Sequence, residues 1–217
     1  MFVPVSGRKN HQFSIDVSED NEGADRLALL LPGVGYRLEN PIFYFTRRLL
    51  LDNGYRIAGA NYAYDKLEGF RDLSFEDVMG VLHDDAASIA QAMMQLPKHS
   101  ELLVVGKSLG TVLMGNLLAQ GHLQSALLAW LPPSSKVAQV PAGILKCAPK
   151  SFICIGDADK GYDANTYAEF ATAGATLSVI DDLAHVLECD NNVPKSILGH
   201  HKMILDMQNW LSASNAN

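Results

Sequence analysis

Long apolar runs are missing from this 217-residue chain. A membrane-spanning helix needs roughly 18 or more consecutive apolar residues, and none is present, so no membrane partner is expected. Cysteine is scarce as well: Cys147, Cys154 and Cys189 are an odd count with no close-spaced pair. That excludes a disulfide scaffold and points to free thiols in a reducing compartment, the cytoplasm. Cys154 sits in the apolar run 152–155 and reads as a small core residue. Charge is sparse, at 19% of residues, and its balance is acidic, with a net charge of −7. A nucleic-acid backbone or an anionic lipid surface is therefore not the expected partner. The first ten residues lack the basic start, apolar centre and small-residue cleavage site of a secretory signal.

What is abundant is apolar residue content, 48% in all. Length and composition suit one globular domain over residues 1–217, with no repeat, low-complexity stretch or boundary inside it. Strand-like and helix-like segments alternate from about residue 25 onward, the pattern of an α/β fold with a mostly parallel sheet covered by helices on both faces. Residues 11–17 alternate polar and apolar, as a half-exposed edge strand does. Continuous apolar runs at 27–31, 102–105, 127–131 and 151–155 read as strands buried on both sides, with 55–62 and 175–180 completing the set.

The helices carry their own punctuation. Asn40 and Pro41 open one that stops at Gly54, with Ile42, Phe45 and Leu49 on its apolar stripe. Phe43 and Tyr44 are also expected to lie mostly in the core. The run Ser74 to Asp77 resembles a capping box and opens a second helix bearing Val78, Leu82, Ala86, Ile89 and Met93. A third carries Val112, Leu113 and Leu117 and ends at Gly121. The last runs from about Pro194 to Leu211 with Ile197, Ile204, Met207 and Trp210 on one face, before a frayed tail over 212–217. Between them, Pro132 to Lys150 reads as a proline-broken linker.

One stretch points to chemistry. Gly106-Lys107-Ser108-Leu109-Gly110 is G-x-S-x-G between a β-branched run and a helical pattern. A nucleophile raised out of a tight strand-to-helix turn has crowded backbone on both sides, which leaves room only for glycine two residues before and after it. Ser108 alone is a weak nucleophile and needs a base and an acid that orients the base. Two later strand ends supply candidates: Gly156-Asp157-Ala158-Asp159, and a loop containing Asp181, Asp182 and His185. The chain order serine, aspartate, histidine is that of the α/β-hydrolases.

On these residues the chain resembles a compact lidless α/β-hydrolase of the serine-esterase kind, from Leu27 to Leu211. The resemblance implies a mostly parallel central sheet without a large lid domain, Ser108 as nucleophile and His185 as base. The family's usual G-x-x-D spacing favours Asp159 as the acid, with Asp157 as rival; Asp181-Asp182 reads most simply as a loop and helix-capping pair, one of which could orient His185 if Asp159 does not. It also implies an oxyanion hole made by the backbone of Leu109 and of Val34. The early loop departs from the family's His-Gly in having Pro32-Gly33, and Lys107 stands where histidine is common. The implied reaction is hydrolysis of a small-molecule carboxylic ester or thioester through an acyl-enzyme, with an open site for small acyl groups. Peptidase activity, or a catalytically silent binding protein on the same fold, is the alternative.

The remaining polar residues have plainer readings. His83 beside Asp84 and Asp85 on a helix is expected to be solvated or ion-paired, and one of His200 and His201 is expected to face solvent. No zinc-ligand spacing and no phosphate-binding glycine motif accompanies them, so neither metal nor cofactor is expected. Tyr36 and Tyr62 follow strand ends and are candidates to line the site. The oligomeric state is not legible.

Overall fold

A computed structural model describes residues 1–8 and 11–214 of the chain. Eight strands form one sheet: β1 (Phe2–Ser6), β2 (Gln12–Val17), β3 (Arg26–Leu31), β4 (Tyr55–Ala60), β5 (Glu101–Ser108), β6 (Leu127–Pro133), β7 (Ser151–Gly156) and β8 (Thr176–Ile180). Their spatial order is β1-β2-β4-β3-β5-β6-β7-β8. The first two pairings, β1 with β2 and β2 with β4, are antiparallel, and the rest of the sheet is parallel.

Alternate side chains along each central strand feed two separate cores, as the two-residue period of a strand requires. Leu27, Leu29 and Leu31 pack with α2 (Phe75–Met93), α3 (Leu109–Ala119), α4 (Gln139–Lys146) and α5 (Ala164–Thr172). Ala28 and Leu30 pack on the other face with α1 (Pro41–Asp52) and α6 (Val193–Ser214). The chain leaves β3 for α1 on one face, and leaves β5 for α3 on the other. Adjacent strands whose connections diverge in this way open a crevice at their carboxyl ends, the place where open α/β sheets bind ligands. No helix among the described residues is long and apolar enough to cross a membrane.

Several expectations needed correcting. The strand at 12–17 is not the sheet edge, because β1 pairs outside it, with Pro4 opposite Ser14. Pro4 removes one amide donor, which an outermost strand tolerates. The expected linker 132–150 contains α4, with Val140 and Ile144 buried. Pro141 sits in its first turn, where an amide hydrogen has no helical partner to lose. A further helix, α5, is capped by Asp163, whose carboxylate accepts from the Thr166 amide at 2.9 Å.

Around α1, Phe43 is buried, but Tyr44 and Phe45 are 53% and 45% exposed, so the apolar stripe runs through Ile42, Phe43, Leu49 and Leu50. Asn40 precedes that helix without capping it through its side chain, which instead accepts from the Arg37 amide at 2.7 Å. Ser74 does cap α2, accepting from Asp77 at 3.1 Å. In α6, Met207 and Trp210 are buried while Ile197 is 62% exposed. The helix continues to Ser214, three residues into the expected frayed tail, whose last three positions lie outside the described residues.

Candidate active site

At the end of β5 the backbone of Ser108 takes φ +52° and ψ −118°. A residue with a side chain reaches this region only against a steric cost of about 1–3 kcal/mol, which the surrounding packing must offset. Packing explains both glycines. A Cβ at Gly110 would run into the Leu31 carbonyl at the end of β3, and one at Gly106 would meet Met114 and the Gly110 backbone of α3. The serine is half-buried, and α3 begins at the next residue, so the free first-turn amides of that helix lie directly behind it.

The loop after β3 lies against this elbow. A Cβ at Gly33 would stand 3.3 Å from the Ser108 Cβ. The loop doubles back at once, with the Tyr36 amide donating to the Gly33 carbonyl at 3.4 Å. Val34 at its tip is 43% exposed, and Leu109 is buried. Beneath the loop the Tyr62 hydroxyl donates to the Pro32 carbonyl. Tyr62 thus supports the loop from inside the core, and Tyr36 lies beside it.

The two downstream strand ends also meet. His185 Nδ1 and Asp159 Oδ2 are 2.6 Å apart, with the carboxylate almost fully buried and the imidazole 38% exposed. A carboxylate accepts only, so Nδ1 carries the hydrogen, and in the neutral ring the lone pair is on Nε2. The second Asp159 oxygen accepts from the Gly161 amide at 2.7 Å. Burial disfavours the charged carboxylate, but the His185 hydrogen bond, the Gly161 amide and the Lys107 charge together hold its pKa below the usual value. Asp157 is exposed and accepts from the Asp182 amide instead, and Asp182 pairs with Lys195 at 2.6 Å. Asp159 is therefore the aspartate that reaches the histidine.

The His185 loop can cross the end of β7 because residue 156 is glycine, where a Cβ would collide with the Leu183 carbonyl. Its turn is closed by Ala184 donating to the Glu188 carbonyl and Leu187 to the Ala184 carbonyl, each at 2.9 Å.

A hydrogen-bonded frame ties the elbow to the aspartate loop. Thr111 Oγ1 donates to the Ser108 carbonyl at 2.6 Å and accepts from the Ser134 amide at 3.0 Å. Ser135 Oγ then donates to the Gly161 carbonyl at 2.6 Å, one bond from Asp159. Nothing in the sequence marked Thr111 or Ser135. Threonine three residues after an elbow serine is a local signal that could have found the first, since its hydroxyl reaches back one turn.

Lys107 is the least expected member. It is 3% exposed, and its ammonium lies 4.6 Å from the centroid of the Tyr36 ring. Burial lowers its pKa from 10.5 to about 8, against an opposing pull from Asp159. Burial likewise raises Tyr36 to about 12, so the ring beneath the ammonium is a neutral phenol. Among the described residues no group of three or more histidine, cysteine, aspartate or glutamate side chains is placed to hold a metal ion.

No protein-family model matches the sequence, and no curated protein does. Solved structures do. A protein of unknown function from Agrobacterium tumefaciens is similar at TM-score 0.69 and 17% identity, over 100% of this chain and 97% of that one. A Pyrococcus furiosus esterase gives 0.64 and 16%, over 96% and 90%. A Xanthomonas campestris protein, described as an α/β serine hydrolase without lid, gives 0.63 and 18%, over 97% and 94%. The chain has the α/β-hydrolase fold in its lidless form, with the Ser108 elbow and the Asp159–His185 pair both at the carboxyl edge of the sheet.

Proposed function

We propose that this chain is a serine hydrolase that cleaves small carboxylic esters or thioesters. The observation that carries the reading is the strained Ser108 elbow at the same sheet edge as a half-exposed histidine whose Nδ1 is held by a buried carboxylate at 2.6 Å. In this reading Nε2 of His185 accepts the Ser108 proton as the hydroxyl attacks the acyl carbon. Asp159 stabilises the positive ring that results. Negative charge gathers on the carbonyl oxygen and is met by the backbone amides of Leu109 and Val34. His185 then protonates the departing alcohol or thiol, and water, activated by the same nitrogen, releases the acid from Ser108.

Likeness to structures described as an esterase and as a serine hydrolase supports the class. The connection between β6 and β7 is taken up by α4 instead of a lid, which suits an open site and small acyl groups. Three free thiols fit a reducing compartment, the cytoplasm. The test is hydrolysis of p-nitrophenyl acetate together with labelling by a fluorophosphonate probe. Both are expected in the native chain and both lost in Ser108→Ala. Undiminished turnover in that variant would overturn the reading.

A further inference from the structure

The turn that faces the nucleophile has little of its own to hold it. Among the described residues one backbone bond closes it, from the Tyr36 amide to the Gly33 carbonyl, and nothing accepts from the Val34 amide at its tip. A donor to a developing oxyanion must keep its hydrogen free in this way, yet a free amide does not fix its own direction. Side chains have to do so. At the start of the turn stands the Tyr62 hydroxyl, on the Pro32 carbonyl. At its end Tyr36 is buried, and its hydroxyl accepts from the Ile42 amide in the first turn of α1 at 3.1 Å.

Lys107, the residue before the nucleophile on β5, touches the turn at both ends. A Cβ at Gly33 would stand 3.3 Å from the Lys107 Cδ, so the aliphatic stem packs against the first residue of the turn. The ammonium lies over the ring of Tyr36, the last residue, at 4.6 Å from its centroid. Among the described residues no hydrogen bond and no ion pair meets this ammonium, although the side chain is buried. Asp159 attracts the same charge from the far side without reaching it. A buried ammonium so poorly compensated opposes folding, and such costs concentrate where a site needs the group.

We propose that Lys107 is a positioning residue for the turn from Gly33 to Tyr36: its stem props Gly33 and its ammonium holds the Tyr36 ring, which fixes where the Val34 amide points. The effect on rate rests on the serine-hydrolase reading, while the hold itself does not. Lysine suits the task because one side chain supplies both an apolar stem and a cation.

The test compares the native chain with Lys107→Met, which keeps the stem and removes the charge, at pH 7. Exchange of the Tyr36 amide hydrogen, followed by NMR, should quicken about fivefold, the size of one cation–π contact, while the urea midpoint does not fall. With p-nitrophenyl acetate, kcat should drop by roughly 10- to 100-fold at nearly constant KM, as when one oxyanion donor is set out of line. In a Tyr36→Leu background the same substitution should change kcat little, because the ring it acts through is gone. Unchanged Tyr36 exchange in Lys107→Met would overturn the proposal, and that measurement decides even if Tyr36→Leu does not fold. A kcat loss of equal size with and without the ring would also overturn it, since the charge would then act directly on the reacting groups or through Asp159. So would faster exchange with kcat intact. A native chain without esterase activity would sink the hydrolase reading and the rate effect with it, and the exchange result would still decide the hold.

Discussion

Among the described residues, two aspartate–histidine pairs differ in what the histidine has left to offer. At the sheet's carboxyl edge, His185 touches Asp159 through Nδ1 at 2.6 Å and is 38% exposed. Behind β2, His11 meets Asp85 at 3.3 Å, with the two side chains 6% and 0% exposed. The carboxylate of Asp85 also accepts from the Tyr64 hydroxyl at 2.7 Å and the Arg8 amide at 2.8 Å. The far nitrogen of His11 faces the Tyr62 carbonyl at 2.6 Å. A carbonyl only accepts, so that nitrogen must donate and has no lone pair for a substrate. The same two residue types make an open site in one place and a closed brace in the other. What separates them is a free lone pair and access to it.

The closed pair still bears on the open one. Tyr62, whose carbonyl holds His11, donates its hydroxyl to Pro32 at the root of the loop that faces Ser108. The brace therefore runs from α2 through His11 and Tyr62 to the proposed oxyanion loop.

The comparison is broken most directly by removing each pair. His185→Ala, like Ser108→Ala, should lower kcat for p-nitrophenyl acetate by about 10⁴-fold or more, and Asp159→Asn by a similar factor. Asp85→Asn should keep kcat within about tenfold wherever the protein is folded, since its partner donates to backbone and reaches no substrate. A loss in Asp85→Asn equal to that in Asp159→Asn would erase the distinction. Stability reverses the ranking. Asp85→Ala leaves buried donors without an acceptor and should cost about 3–5 kcal/mol by urea unfolding. Asp159→Ala, beside a half-exposed partner, should cost less.

Lys107 sharpens the comparison from the charge side. Its folded pKa of about 8 lies below the 10.5 of the unfolded chain. Between those values the unfolded chain binds more protons, so stability rises with pH through that window. The shift corresponds to about 3 kcal/mol, present as a penalty at pH 7 and relieved by pH 10.5. Lys107→Met should be more stable than the native chain at pH 7, with an advantage that shrinks as pH rises. An advantage independent of pH would show that the ammonium is not desolvated. The smallest effect belongs to Tyr62→Phe, which removes one hydroxyl under the loop. Steady-state kinetics should show kcat down about tenfold with KM nearly unchanged, the size of one transition-state hydrogen-bond donor set out of line. An unchanged kcat would mean that the loop is held without the brace.

Much of the fold was legible because the signals are short-ranged. Continuous apolar runs placed β3, β5, β6 and β7, and Ser74 marked the start of α2, where its hydroxyl serves the amide three residues on. Proline misled at 132–150, because its missing donor matters only where a partner is waiting. An outermost strand has none beyond Pro4, and the first helical turn has none at Pro141. The sites of Phe45 and Ile197 were misread because an apolar stripe read by period alone does not say how wide the buried face is.

The sequence alone determined the elbow, the order in which serine, acid and histidine arrive, and the strands that carry them. These follow from steric and periodic constraints within a few residues. Only the tertiary structure decided that Asp159 and not Asp157 reaches His185 across 26 positions, and that Asp85 and His11 meet across 74. Partners that far apart are chosen by where loops cross strand ends, as at Gly156, and by which carboxylate the packing leaves buried. No local pattern encodes that choice, because neighbouring aspartates on one turn differ only in the direction the folded backbone gives them.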